Sequence, residues 1–401
     1  MPRTRALETG LSPAGLAAIR QWVEEYVDGG RLAGAQVIVA RRGRTALSFG
    51  YGRRSVEHDV PLGRDSIFRI YSMTKPVTAA AAMRLVEEGV LSLDDPVSRF
   101  IPSFADVTVN RFGGSGDRLA ASQADVPMTV WHLMTHTSGL TYGEWNEGVV
   151  AELYRRDHTD FRPNDGPLAE VVDRLAPIPL LFEPGTAWNY GVSSDVLGRV
   201  IEVASGMPLD RWVFDSILAP LRMTDTSFQV PPTKLDRVAT TYQADGGTLV
   251  PIDLTGEHGI PPERLTLSGG GGLFSTARDY LQFAEMLRRG GTLGRVRILR
   301  EMSVHLMTRN HLDGDIAARS ADPSDAELTG LGYGFGISTV IDPSRTGSRT
   351  SVNQLSWGGY AGTFFFIDPE SDVTAVFMTQ FVPWDAYPTE SELRTLVADA
   401  L

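Results

Sequence analysis

Cysteine is absent from the 401 residues, which excludes disulfides, thiol catalysis and thiolate metal sites, although a cysteine-free chain can work on either side of a membrane. Lysine is nearly absent too: of 37 basic residues, only Lys75 and Lys234 are lysines. No apolar run approaches the roughly 18 residues needed to cross a bilayer, and Met1 to Gly10 has no apolar signal core. A cytoplasmic chain without a membrane partner is the expectation. Acidic residues outnumber basic ones to give a net charge of -12, and the basic residues form neither a stripe nor a cluster. That disfavours nucleic acid and anionic membranes as partners and leaves small neutral molecules. There is also no G-x-S-x-G, so a nucleophile elbow has no residues to be built from.

Length and a 42% hydrophobic content allow a large core and two or three domains. The most informative stretch is Phe68 to Pro76, followed by an apolar, alanine-rich run from Val77 to Gly89. Proline is tolerated in a helix only in the first turn, so Pro76 predicts a helix starting within about a turn of Ser72. Residues three apart share a helix face, which brings the amine of Lys75 within reach of the Ser72 hydroxyl. This is an S-x-x-K arrangement. Alone, the pattern also fits a capped helix with a surface lysine. In a chain that otherwise uses arginine for exposed positive charge, a lysine here points to a group that must lose its proton, which guanidinium cannot do.

Taken in order, Ser12-Pro13 opens a predicted helix through Ile19, Trp22, Val23 and Tyr26 that stops at Gly29-Gly30. Ala35 to Ala40 and Thr45 to Tyr51 read as a hairpin closed by Arg41-Arg42-Gly43-Arg44. Asp94 and Asp95, before Pro96, read as turn residues rather than paired carboxylates. Phe104 to Val126 reads as an exposed excursion, and Thr129 caps a short helix that ends at Thr137-Ser138-Gly139. His132 and His136 have a spacing that can hold zinc, but with no glutamate between them and no third ligand evident, no metal is expected. Residues 140 to 190 are loop-rich, with Tyr142, Trp145, Tyr154, Phe161 and Trp188 as candidate pocket walls.

Helices are expected over Ser193 to Ala204, Leu209 to Leu221 and Thr276 to Arg289. The run Ser268-Gly269-Gly270-Gly271-Gly272 lacks the lysine and hydroxyl of a phosphate loop and reads as a tight junction into the last of these. Runs rich in β-formers at Tyr333 to Ile341, Val352 to Trp357, Thr363 to Ile367 and Val373 to Thr379 precede a closing helix from Glu390 to Leu401. The expected fold is α/β in the α+β sense. An antiparallel sheet flanked by helices is built from both termini (residues 1–70 and 275–401), a mostly helical domain (residues 71–274) is inserted, and the active site lies at their junction.

Several blocks occur in a specific order: Ser72-Met73-Thr74-Lys75, Leu133 through Leu140, Phe182-Glu183-Pro184-Gly185 through Trp188-Asn189-Tyr190, the glycines at 269 to 272, and Trp357-Gly358-Gly359. In these the chain resembles the family VIII carboxylesterases of the serine β-lactamase fold and, more distantly, the class C β-lactamases and D-amino-acid peptidases. The resemblance spans roughly residues 12 to 400. By position it implies Ser72 as the acyl-accepting nucleophile, Lys75 as its proton partner, Tyr190 as the tyrosine opening the second box, and the N–H groups of Ser72 and Tyr360 as oxyanion donors. Two departures stand out. The second box is Tyr190-Gly191-Val192 where β-lactamases usually have Tyr-x-Asn, and the third is Trp357-Gly358-Gly359 where they have Lys-Thr-Gly. The esterases share Trp-Gly-Gly.

The chemistry is consistent with this. A serine hydroxyl needs a base, and a lysine amine can serve if burial and the positive end of a helix favour its neutral form. A phenol beside an ammonium becomes more acidic, so Tyr190 and Lys75 can share a proton. With the third-box cation gone, an anionic β-lactam or peptide carboxylate loses a charge-assisted contact while a neutral ester loses nothing. The expectation is therefore a cofactor-free carboxylesterase for short to medium acyl esters, with Trp357, Gly358, Gly359, Tyr142 and Trp145 at the substrate. β-Lactamase, D-peptidase and acyltransferase activities on the same fold, and a binding domain without turnover, are the alternatives.

Overall fold

The fold is that of a computed structural model, which describes residues 9–112, 118–252 and 265–401. Helix α1 spans Pro13–Asp28. Its first turn is capped by the Ser12 side chain, which accepts from the Gly15 N–H at 3.0 Å, and Pro13 sits where a missing N–H costs nothing. Leu16, Ile19, Trp22, Val23 and Tyr26 form its buried face. Strands β1 (Gly34–Arg41), β2 (Arg44–Ser55) and β3 (Val60–Pro61) follow. Five more come from the C-terminal part: β4 (Leu331–Tyr333), β5 (Ser338–Val340), β6 (Leu355–Gly358), β7 (Phe364–Asp368) and β8 (Val373–Met378). Together they make one eight-stranded sheet in the order β4-β5-β6-β7-β8-β1-β2-β3, each neighbouring pair antiparallel.

The central strand β1 is apolar on both faces because both faces are covered. Ala35, Val37 and Val39 pack into a core with α1 and the closing helix α6 (Thr389–Asp399), while Ile38 and Ala40 face the second, larger core. The Trp22 indole N–H and the Tyr26 hydroxyl both donate to one oxygen of Glu392 at 2.7 Å, which fixes α1 to α6. On the other face of the sheet, α5 (Ala277–Arg288) packs on β8 and β1.

The larger core is organised around α2 (Thr74–Glu87), whose residues from Thr74 to Met83 are all buried. Its alanines from Ala79 to Ala82 let neighbours approach closely, and it packs against α4 (Ser193–Ser205). The short α3 (Val130–Met134) packs on α4 as well. Among the described residues, no helix is long and apolar enough to cross a membrane.

The structure departs from the sequence reading in several places, among them the loop-rich stretch 140 to 190, which contains helices over Val149–Asp157 and Leu168–Leu175. The run Tyr333 to Ile341 is not one strand but β4 and β5 joined at Gly334-Phe335-Gly336. Gly336, at φ +69°, tucks against the start of α2, where a Cβ would lie 2.8 Å from the Lys75 carbonyl oxygen. Leu209 to Leu221 is α-helical only over Leu209–Val213 and continues as a wider π turn over Phe214–Leu218. Residues 71–274 also contain strands: Thr108–Asn110 pairs with Ala121–Gln123, inside the expected excursion, of which residues 113–117 lie outside the described residues. Thr241–Asp245 pairs with Thr248–Ile252 and, in parallel, with Phe381–Val382, while Phe68–Arg69 pairs with Phe274–Ser275. The last two pairings tie the beginning and end of the chain to its middle.

Candidate active site

Ser72 sits in a single 3-10 turn, Tyr71–Met73, that runs directly into α2. Tyr71, just before it, has φ +41°, an unfavourable conformation for a bulky residue that the surroundings must enforce. They do so with three hydrogen bonds: Ile70 N–H to Leu273 O at 3.1 Å, Leu273 N–H to Thr74 Oγ1 at 3.1 Å, and the Tyr280 hydroxyl to Met73 O at 2.9 Å. The chain is thus clamped on both sides of the serine.

Lys75 is 0% exposed, so it is not the surface lysine of a capped helix. Its Nζ lies 3.1 Å from Ser72 Oγ, 3.0 Å from the Tyr142 hydroxyl and 2.9 Å from the Gly270 carbonyl oxygen. An ammonium has three N–H groups, and these acceptors occupy all three. Tyr190 meets the same nitrogen through its ring, whose centroid is 4.5 Å from Nζ. The sequence reading had the phenol of Tyr190 beside Lys75 and Tyr142 on the substrate wall; here the hydroxyl bonded to Lys75 is that of Tyr142. Burial, with Tyr190 and Asp195 nearby, pushes the Tyr142 phenol well above its ordinary pKa, so it stays neutral.

The glycine run has a purpose that its spacing did not reveal. The Gly269 carbonyl accepts from Thr78 Oγ1 at 2.7 Å, and the Gly270 carbonyl accepts from Lys75, so the run lies along α2. It fits between α2 and α4 only because it lacks side chains: a Cβ at Gly269 would be 2.4 Å from Ser194 O, and one at Gly270 would be 2.5 Å from Asp195 Oδ2. Asp195 Oδ1 accepts from Ser268 Oγ at 2.5 Å and from the Gly270 N–H at 2.9 Å. Burial raises the Asp195 pKa to about 6, against the opposing pull of Lys75 and these hydrogen bonds. Neither Asp195 nor Thr78 was singled out from sequence, where the first reads as an ordinary acid in the first turn of a helix.

The Trp357-Gly358-Gly359-Tyr360 segment leaves β6 and turns beside Ser72. The turn is closed by Gly359 N–H to Thr363 O at 2.6 Å and Gly362 N–H to Gly359 O at 3.0 Å, bonds that do not use the Tyr360 N–H. A Cβ at Gly359 would lie 2.3 Å from Thr363 Oγ1 and 2.4 Å from Ile70 O, whereas one at Gly358 meets nothing nearer than 3.5 Å. Only Gly359 is required by close approach. The Tyr360 ring packs edge-on against Tyr71 at 5.7 Å, and Trp357 packs against Tyr190 at 5.5 Å and Tyr333 at 5.2 Å. Trp145, 46% exposed, contacts the rings of Tyr142 at 4.6 Å, Tyr360 at 5.6 Å and Tyr190 at 6.4 Å. The sequence candidates Ser72, Lys75, Tyr190, Tyr142, Trp145, Trp357 and Tyr360 therefore meet in one aromatic-walled cluster.

The two spaced histidines are turned to other tasks. His132 Nδ1 accepts from the Thr129 N–H at 3.1 Å and completes the cap of α3. His136, fully buried, stacks on Tyr190 at 5.3 Å, and burial, reinforced by Lys75, lowers its pKa to about 3, so it is neutral at physiological pH. Among the described residues, no three His, Cys, Asp or Glu side chains are grouped to hold a metal ion.

Residues 19–399 match the beta-lactamase family, and the chain belongs to that family. An uncharacterized protein of Mycobacterium tuberculosis is 35% identical over 365 residues, which cover 90% of this chain and 89% of the relative. Esterase EstB of Burkholderia gladioli is 33% identical over 374 residues, covering 87% and 86%. Among solved structures, that of EstCE1, described as a hydrolase with promiscuous acyltransferase activity, aligns with a TM-score of 0.81 at 28% identity over 96% of this chain and 98% of EstCE1.

Proposed function

We propose that this chain is a serine ester hydrolase that cleaves short to medium acyl esters of small neutral molecules through an acyl-enzyme on Ser72. The observation that carries the reading is the fully buried Lys75 with its Nζ 3.1 Å from Ser72 Oγ. With Lys75 as the free amine, Ser72 Oγ attacks the ester carbonyl carbon while its proton passes to Nζ. The oxyanion is received by the N–H groups of Ser72 and Tyr360. The C–O bond to the alcohol then breaks, and the departing oxygen takes a proton from the Lys75 and Tyr190 pair. Water repeats the sequence on the acyl-enzyme, the acid leaves, and Ser72 regains its proton.

Tyr142, neutral and buried on Lys75, serves as an anchor for the amine. Tyr190 is half-buried, with its ring between Lys75 and the aromatic wall; its role as proton carrier follows from its place in the second box of the family resemblance. The preference for neutral esters is supported by Trp357-Gly358-Gly359, which offers an indole and backbone where a cation would meet a carboxylate. Similarity to EstB and EstCE1 supports the same reaction class. Hydrolysis of p-nitrophenyl butyrate tests it: the wild type turns the ester over and Ser72→Ala does not. Wild-type activity in Ser72→Ala, or efficient turnover of a chromogenic cephalosporin with none of the ester, overturns the reading.

A further inference from the structure

The chemistry above gives no task to one buried acid that borders the site. Asp195 lies in the first turn of α4, 1% exposed, and its carboxylate reaches into the space between α4, α2 and the glycine run. A carboxylate removed from water is costly unless it is hydrogen-bonded and faces a cation. Asp195 meets both conditions: Oδ1 holds Ser268 Oγ and the Gly270 N–H, and Gly270 in turn presents its carbonyl oxygen to Lys75 Nζ at 2.9 Å. The Ser268 hydroxyl also accepts from the Gly271 N–H at 2.9 Å, so the carboxylate and the serine together set the path of the run.

Among the described residues, the other groups facing this space carry no competing charge. Tyr142 is held neutral by burial, His136 is neutral for the same reason, and Thr78 and Ser194 contribute hydroxyls, the latter 3.4 Å from His136 Nε2. Lys75 is thus the basic side chain that Asp195 confronts, a cation once it has taken the Ser72 proton, and the link between them is a single glycine.

We propose that Asp195 is a positioning residue that holds Lys75 in place through Gly270 and, as a carboxylate, offsets the ammonium created when Lys75 takes the Ser72 proton. The role parallels that of an aspartate which orients a basic partner and stabilises its cation without itself exchanging the proton. It rests on the reading of Ser72 as nucleophile and Lys75 as base.

The test is kcat and KM for p-nitrophenyl butyrate across pH, in wild type and in Asp195→Asn, which keeps the shape and the acceptor oxygen but loses the charge. Ser72 labelling by a fluorescent phosphonate is measured alongside. The wild type is expected to lose kcat as pH falls through about 6, where Asp195 takes up a proton. In Asp195→Asn, kcat above that pH falls at least ten-fold, KM stays within three-fold, and the inflection near 6 disappears or moves lower. Asp195→Asn with wild-type kcat and an unchanged inflection, or with a raised KM alone, overturns the proposal.

Should Asp195→Asn not fold, Ser268→Ala removes one hydroxyl that favours the ionised carboxylate. The inflection then moves to higher pH, and an unmoved inflection overturns the proposal. A wild type that neither hydrolyses the ester nor labels at Ser72 instead defeats the esterase reading, so the two failures are distinguishable.

Discussion

Lys75 Nζ lies 3.0 Å from the hydroxyl of Tyr142, a residue 67 positions further along the chain, while Tyr190 touches the same nitrogen with its ring. The two phenols therefore have separable roles, and their phenylalanine variants distinguish them. Tyr142→Phe removes an anchor, so kcat falls about ten-fold and equally for all esters, the cost of one charge-assisted hydrogen bond. Tyr190→Phe keeps the ring and removes the proton carrier. Its loss is about 100-fold or more for an alkyl ester, within the range of general acid catalysis, and smaller for a p-nitrophenyl ester, whose leaving group needs no proton. Equal losses for both leaving groups in Tyr190→Phe would remove it from proton transfer.

Gly358 and Gly359 are adjacent in sequence but have different surroundings. Gly359→Ala forces a methyl to within 2.4 Å of the Ile70 carbonyl, just ahead of Ser72, whereas Gly358→Ala has ordinary contact distances. Overpacking of this kind costs about 1–3 kcal/mol, and here it also displaces the oxyanion segment. Thermal melts and ester assays should show Gly358→Ala near wild type and Gly359→Ala both less stable and nearly inactive. Equal behaviour would place the strand elsewhere relative to Ser72.

Asp225 is gripped by Arg237 through two contacts of 2.8 Å and by Lys234 Nζ at 2.8 Å. These partners, Arg237 foremost, lower its pKa to about 2. Because the folded value lies below the ordinary carboxylate value, the stabilisation is present at neutral pH and is lost as pH falls from about 4 through about 2. Arg237→Gln is expected to lower the melting temperature at pH 7 and to lower it progressively less towards pH 2. A melting difference that does not shrink with acid would show that Arg237 acts through its hydrogen bonds to the Asp65 carbonyl instead.

The local parts of the site were readable from the chain, and the long-range parts were not. Ser72, in the 3-10 turn that runs into α2, and Lys75, in the first turn of α2, are three residues apart, so their meeting follows from local helical geometry. Tyr142 and Tyr190 were both picked as aromatic residues of the site, but which one turns its hydroxyl to Lys75 depends on how the loop after α3 lies over α2. Sequence carries no direct signal for that. The glycine run reads as a tight junction into the next helix, yet it also sets its carbonyl groups on Thr78 and Lys75, and backbone atoms look the same at every residue. Asp195 was hidden by its position, since an acid in the first turn of a helix is explained by the helix dipole before any partner is sought. In the sheet, alternation and turn residues located β7 and β8 closely and placed the start of β6 three residues early, while β4 and β5 merged because the apolar run over Tyr333 to Ile341 does not mark where Gly334 to Gly336 reverses direction.

The third acceptor on Lys75 belongs to Gly270, 195 residues downstream. A nascent chain emerging from the ribosome has already exposed its serine and its amine long before that glycine is synthesised. Until then Lys75 lacks the carbonyl that aims it. The reactivity proposed for Ser72 therefore depends on the finished fold and not on the local spacing of Ser72 and Lys75 alone.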